Sequence, residues 1–231
     1  MKENTDISII IPVFNEEGNL KILLNEIQGS MSNFYNYEII FINDCSSDRS
    51  LEILETFSSI KNIKIFSNKK NRGQSYSIYK GIKRSKFRNI VTLDADLQND
   101  PSDIIKISKI YFEKNVSLVG GIRKKRKDKL SKILSSKIAN YVRMKILNDN
   151  CIDTGCSLKI FDKQIFLSFV YFDGIHRFLP AFFSGNGYKT FFVDVNHRSR
   201  YSGKSKYDNF SRLIKGIKDL YIVYKILNKL K

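Results

Sequence analysis

A chain of 231 residues that is 42% hydrophobic and 13% aromatic can bury a sizeable core, which excludes a disordered tail. Forty Lys and Arg against 23 Asp and Glu give a formal net charge of +17, a strong attraction for nucleic acid, anionic lipid headgroups or phosphorylated substrates. The three cysteines form no C-x-x-C pair, which argues against a disulfide framework and for a reduced, cytosolic chain. Cys151 and Cys156 with His176 are not spaced as a recognised zinc site and are expected as buried free thiols.

In chain order, the run "ISIIIPV" (7–13) reads as a core strand, since Glu16 and Glu17 follow it without a cleavage site of small residues. "EIIFIN" (38–43), "NIKIFS" (62–67) and "NIVTLD" (89–94) are further buried strands, and 16–30, 48–58 and 74–85 have helical patterns. This βαβα series predicts an α/β fold with a mostly parallel central sheet flanked by helices. In such sheets ligands sit beyond the carboxyl ends of the strands. The polar clusters "NEE", "NDCSSD", "NRGQS" and "DADLQ" follow the four strands and so converge on one cleft.

After Pro101, placed for a helix start, "VSLVGG" (116–121) reads as a strand. It leads into "IRKKRKDK" and a helical stretch with Leu130, Ile133, Leu134, Ile138, Tyr141, Val142 and Ile146 on one face. Ten Lys or Arg lie from Arg123 to Lys145 against the single acid Asp128. Periodicity allows either a basic amphipathic helix lying on a surface or an ordinary packed helix with a solvated face. The longest charge-free apolar stretch, "QIFLSFVYF" (164–172), falls far short of the roughly 18 residues that span a bilayer, so no transmembrane helix is expected.

"VTLDADLQNDP" (91–101) places Asp94, Asp96 and Gln98 after a strand. Two carboxylates two residues apart, with an amide carbonyl two further on, suit a divalent cation that also binds a diphosphate. Such a pair also caps helices, and alone it does not decide.

"IPVFNEEGNL", "INDCSSDRS", "NRGQS", "LDADLQNDP", "GGIR", "DTGCSLKIF", "HRFLPA" and "NHRSRYSGKSKY" occur in one order, from about residue 7 to residue 220. Together they resemble the family 2 inverting glycosyltransferases, of the dolichol-phosphate mannosyltransferase type that makes polyprenyl-phosphate sugars. The resemblance implies one GT-A (Rossmann-like) domain over 1–231, its core at about 7–200 and a C-terminal, membrane-associated helix at about 207–231. It also implies a nucleotide-sugar donor (GDP-mannose or a UDP-sugar), Mg²⁺ or Mn²⁺, and a polyprenyl or dolichyl phosphate acceptor. Phe14 stands where Tyr is common, Asn43 where Asp often precedes Asp44, and Cys45 where Gly is usual.

By that resemblance Pro12, Asn15, Glu16, Asp44, Arg72 and Gly73 hold the nucleotide, Asp94 faces ribose or metal, and Asp96 and Gln98 ligate the cation. Asp153 orients the sugar or organises the site. Arg123, Lys132, Ser136, Arg200 and Lys206 hold the acceptor phosphate, with Asp96, Arg123 and Arg200 nearest the chemistry. His176 either touches the donor or packs in a turn. The acceptor's lipid tail implies a peripheral protein on the cytoplasmic face of an anionic membrane, docking through 123–146 and the C-terminal helix, or held there by a separate membrane-anchoring protein. A nucleic-acid-binding module would explain the charge and leave the strand-end carboxylates without purpose, so no nucleic acid is expected. A metal phosphohydrolase would use the same aspartates without lipid.

Overall fold

A computed structural model describes residues 5–32, 36–124, 130–199, 201 and 209–228; the side chains of 130–135 and 209–214 lie outside that description. The first half alternates β1 (Ile7–Val13), α1 (Leu20–Ser30), β2 (Tyr37–Asn43), α2 (Ser50–Glu55), β3 (Ile63–Ser67), α3 (Gln74–Arg84), β4 (Asn89–Thr92) and α4 (Asp103–Lys114). There follow β5 (Leu118–Arg123), α5 (Leu130–Leu147), β6 (Lys159–Asp162), α6 (Lys163–Ser168), a 3-10 turn at Ile175–Arg177, α7 (Leu179–Gly185), β7 (Thr190–Val195) and α8 (Asn209–Asn228).

The seven strands form one sheet in the order β3-β2-β1-β4-β6-β5-β7. All neighbours are parallel except β6, which runs antiparallel to both β4 and β5. The apolar run of β1 is buried on both faces, as expected of a central parallel strand. Ile7, Ile9, Ile11 and Val13 pack with Leu20, Leu23 and Ile27 of α1 and Ile104 and Ile107 of α4. Ile10 joins the opposite layer with Ile40, Ile42, Ile78, Ile82, Phe161 and Phe182. On that side α3 sits close against the sheet: a methyl group at Gly81 would lie 2.6 Å from Ile10 Cγ2 and 3.3 Å from Ile42 Cγ1.

Of the boundaries that differ from the sequence reading, three have a clear local reason. Helix α1 starts at Leu20, not residue 16, because the Glu16 and Glu17 amides donate to Ser50 Oγ (2.8 Å) and Asp48 Oδ2 (3.1 Å) across the β2–α2 loop. Helix α2 starts at Ser50, whose N–H is taken by Asp48 Oδ1 at 2.9 Å. Strand β5 runs on to Arg123 because β7 pairs with it to that residue.

Helix α5 is inverted relative to a soluble amphipathic helix. Ile138, Tyr141, Val142 and Ile146 are exposed, while Asn140 and Arg143 are buried. Arg143 pairs with Asp149 and donates to the Cys151 carbonyl. Helix α8 contacts α5 and buries Val223 and Leu227 against α7, leaving Ile217, Tyr221 and Tyr224 outward. Among the described residues no helix is long and apolar enough to cross a membrane.

Candidate active site

The carboxyl ends of β1, β2 and β4 are joined by side chains into one framework. The Asn15 amide donates to Ser46 Oγ (3.0 Å), and Asn15 Oδ1 accepts the Ser47 amide (2.8 Å), which ties the β1–α1 loop to the β2–α2 loop. Glu16 Oε2 accepts from Asn19 Nδ2 at 2.6 Å. Pro12 is half-buried near the end of β1, in register with Ile42. Asn15 (φ 54°) and Cys45 (φ 60°) occupy the left-handed region. That conformation is the one glycine favours, and Cys45 holds it with its side chain exposed.

Asp44 is buried, and its carboxylate organises the β3–α3 loop. Oδ1 accepts from Asn68 Nδ2 (2.7 Å) and the Arg72 amide (2.8 Å), and Oδ2 accepts the Gly73 amide (2.8 Å). Gly73 turns the chain into α3 at φ 83°, where a side chain would be strained. The exposed Arg72 guanidinium lies 4.2 Å over the Tyr76 ring. The structure thus brings Asp44, Arg72 and Gly73 together through the aspartate's hydrogen bonds to the loop.

Gln74, the first residue of α3, donates Nε2–H to Asp94 Oδ1 at 2.7 Å. The Asp94 amide donates to Ser157 Oγ (3.3 Å), whose proton goes to Asn99 Oδ1 (2.8 Å). Burial, and then the charge of Asp96, push the Asp94 carboxyl up to about 7. Asp96 is 8% exposed, and its Oδ1 accepts the Gln98 amide at 3.2 Å across Leu97, itself left-handed at φ 60°. The Gln98 carbonyl accepts the Arg198 amide (2.8 Å), and Gln98 Nε2 reaches the Arg198 carbonyl (3.5 Å), so the amide nitrogen is the end turned to the chain. Among the described residues no group of three or more His, Cys, Asp and Glu converges. The donor set is instead two neighbouring carboxyl groups, Asp94 and Asp96, and the amide oxygen of Gln98. Those are hard oxygen donors that fit Mg²⁺ or Mn²⁺, with the remaining positions left to phosphate and water.

Arg123, at the end of β5, and Asp153 form a bidentate pair, with Nε to Oδ2 at 2.8 Å and Nη2 to Oδ1 at 2.7 Å. The Arg123 amide donates to the same carboxylate at 3.1 Å. Beyond Asp153, Thr154 Oγ1 donates to Asn140 Oδ1 (3.1 Å), and Asn140 Nδ2 reaches Ser136 Oγ (3.5 Å), so the inner face of α5 continues this polar surface. The side chain of Lys132, and Arg200 and Lys206 entirely, lie outside the described residues.

Several members of the framework carried no role in the sequence reading: Asn68, Gln74, Ser157 and Lys159. Gln74 follows Gly73 inside a quoted motif, and its place at a helix start was the available signal. Lys159 is 3% exposed, donates Nζ to the carbonyls of Thr154 and Cys156, and sets its charge near Asp94. A lysine inside the apolar run "SLKIF" was its signature. Cys151 and Cys156 are buried free thiols, and burial raises both pKa values, Cys151 to about 11.

Residues 8–169 match the sequence model of the family described as Glycosyl transferase family 2. The undecaprenyl-phosphate 4-deoxy-4-formamido-L-arabinose transferase of Pectobacterium carotovorum subsp. carotovorum is 33% identical over 218 residues, covering 93% of this chain and 66% of that protein. The dodecaprenyl-phosphate galacturonate synthase of Rhizobium johnstonii is 32% identical over 227 residues, covering 96% and 67%. The chain therefore spans about two thirds of the length of these relatives. Glucosyl-3-phosphoglycerate synthase from Mycobacterium tuberculosis, solved with Mn²⁺, UDP and glucosyl-3-phosphoglycerate, shares the fold at TM-score 0.68 and 12% identity, over 96% of this chain and 79% of that one. Mannosyl-3-phosphoglycerate synthase from Rubrobacter xylanophilus does so at TM-score 0.72 and 12% identity, over 94% and 72%. The fold is GT-A.

Proposed function

The chain belongs to glycosyl transferase family 2, and on that premise we propose that it transfers a sugar, with inversion, from a nucleotide-sugar to a polyprenyl phosphate at an anionic membrane surface. The observation that carries this reading is the convergence of Asp94, Asp96 and Gln98 with the Asp44-held loop at the carboxyl ends of β1, β2 and β4. The names of the two relatives, each a polyprenyl-phosphate sugar enzyme, support the acceptor class.

In this reading the β1–α1 and β2–α2 loops, with Asp44, Arg72 and Gly73, seat the nucleotide. Asp96 and Gln98, beside Asp94, hold Mg²⁺ or Mn²⁺, which supplies Lewis-acid stabilisation of the departing diphosphate. A phosphate monoester has a second pKa of about 6, so the nucleophile is already ionised near neutral pH and needs no general base. Its oxygen bonds to the anomeric carbon as the bond from that carbon to the nucleoside diphosphate breaks. The site must hold two anions together. Arg123, its guanidinium oriented by Asp153, serves this with Ser136 on α5 and with Lys132, Arg200 and Lys206.

The exposed apolar faces of α5 and α8 support the membrane assignment, since they lie in segments rich in Lys and Arg. A separate membrane-anchoring protein would serve the same faces. The test is incubation with UDP- and GDP-sugars and undecaprenyl phosphate in detergent micelles, with Mn²⁺ or with EDTA. A lipid-linked sugar and free nucleoside diphosphate, formed only with the metal, are expected. Release of sugar to water without lipid, or salt-sensitive RNA binding without nucleotide-sugar binding, would overturn the reading.

A further inference from the structure

His176 has a defined neighbour. Its Nδ1 is 2.6 Å from Ser75 Oγ, in the first turn of α3 and next to Gln74, which holds Asp94. Ser75 Oγ already accepts the Gly174 amide at 2.8 Å, so its own proton is available to Nδ1. With that proton donated to Nδ1, the imidazole carries its own on Nε2. Burial, and then the charges of Arg177, Lys159 and Lys215, hold its pKa well below the ordinary histidine value, which keeps it neutral.

A neutral imidazole whose Nδ1 is occupied as an acceptor can only donate, and only from Nε2. No described residue bonds to that atom, and His176 is half-buried. Its partner Ser75 directly follows Gln74, which holds Asp94, so the first turn of α3 links His176 to the strand-end carboxylate. The positive charges of Arg177, Lys159 and Lys215, which disfavour an imidazolium, favour an oxyanion.

Resting on the donor reading above, we propose that His176 binds the diphosphate of the nucleotide-sugar by donating Nε2–H to a phosphate oxygen, and that Ser75 is the positioning residue that fixes the tautomer. The hydrogen bond follows the charge that the diphosphate gains as it leaves, so it strengthens along the reaction.

The chain has two histidines, His176 and His197, so imidazole ¹⁵N signals can be assigned with one His197 variant. The full chain is titrated with UDP and with GDP in Mg²⁺, and the same nucleotides are measured by calorimetry against His176→Ala and His176→Gln. The expected result is an Nε2-protonated His176 whose Nε2 signal moves as nucleotide saturates the site. The alanine variant should lose diphosphate affinity by about tenfold or more, and the glutamine variant, which restores an N–H donor, should lose less. Affinity for uridine and guanosine should stay unchanged. Saturation with no shift at His176, wild-type affinity in His176→Ala, or equal losses for nucleoside and diphosphate would each overturn the assignment while leaving the donor reading intact. Failure of wild type to bind either nucleotide would overturn both.

Discussion

The Arg123 guanidinium and the Asp153 carboxylate meet as two parallel forks, 2.8 and 2.7 Å apart at their paired atoms, with only 13% and 7% of the side chains exposed. A pair this buried holds its geometry, and removing one partner strands the other charge. Asp153→Ala should lower the unfolding free energy by about 3–5 kcal/mol, and adding Arg123→Ala should cost less than the sum of the single changes. Urea denaturation of the four proteins checks this; strictly additive losses would show that the pair is not coupled.

Asp96→Asn keeps the shape of a cation ligand and removes its charge. Sugar transfer should fall below detection while circular dichroism and the unfolding midpoint remain those of a folded protein. Full activity would remove Asp96 from the metal site.

Arg200→Ala removes a permanently charged, planar donor for the acceptor phosphate. Transfer should fall about ten- to a hundredfold, with nucleotide-sugar affinity in Mn²⁺ largely kept. Unchanged transfer, or equal losses in both measurements, would show that Arg200 does not hold the acceptor.

Neutralising Lys124, Lys125, Arg126 and Lys127 should weaken sedimentation with anionic liposomes, at about 1 kcal/mol for each charge near the surface. Tyr141→Ser with Ile146→Ser should weaken it too without lowering thermal stability, because both side chains are already exposed. Equal binding to neutral vesicles would count against an electrostatic dock.

Glu38 accepts hydrogen bonds from Ser8 Oγ (2.6 Å), the Lys86 amide and Lys64 Nζ (2.8 Å). Burial raises its pKa, but the bonds from Lys64, Ser8 and Lys86 outweigh burial and hold it below the ordinary 4.5. The folded state therefore binds fewer protons than the unfolded one as the carboxyl titrates. Its stabilisation is complete above about pH 4.5 and is lost as pH falls through the folded value. Urea unfolding from pH 6 to 3 should show that decline, and Glu38→Gln should make it shallower; an identical profile would exclude Glu38 as a source.

The first four strands and the cleft at their ends were legible because central parallel strands are unbroken apolar runs and the polar residues cluster just after them. β6 and β7 were not: "KIFD" is four residues long and opens on a lysine, and "TFFVDV" is mostly half-buried. The apolar stripe of α5 could be read, but not its direction, since periodicity is the same whether Ile138 and Tyr141 face the core or solvent. The resemblance places Asp44 among the residues that hold the nucleotide. Its bonds to Asn68, Arg72 and Gly73 could not be foreseen, because partners 24 to 29 residues away leave no mark in spacing.

Gly81 meets β1 so closely that an added methyl would press on Ile10 at 2.6 Å. From there to Gln74 is about 10 Å of stiff rod at 1.5 Å per residue. A wedge under one end of such a rod tilts the other. The Gln74–Asp94 bond, at 2.7 Å, weakens after a shift of a few tenths of an ångström. The alignment of the strand-end carboxylate is thus machined from below, by the absence of one carbon atom in an apolar layer. A larger residue at position 81 would look like a catalytic lesion while touching no polar group at all.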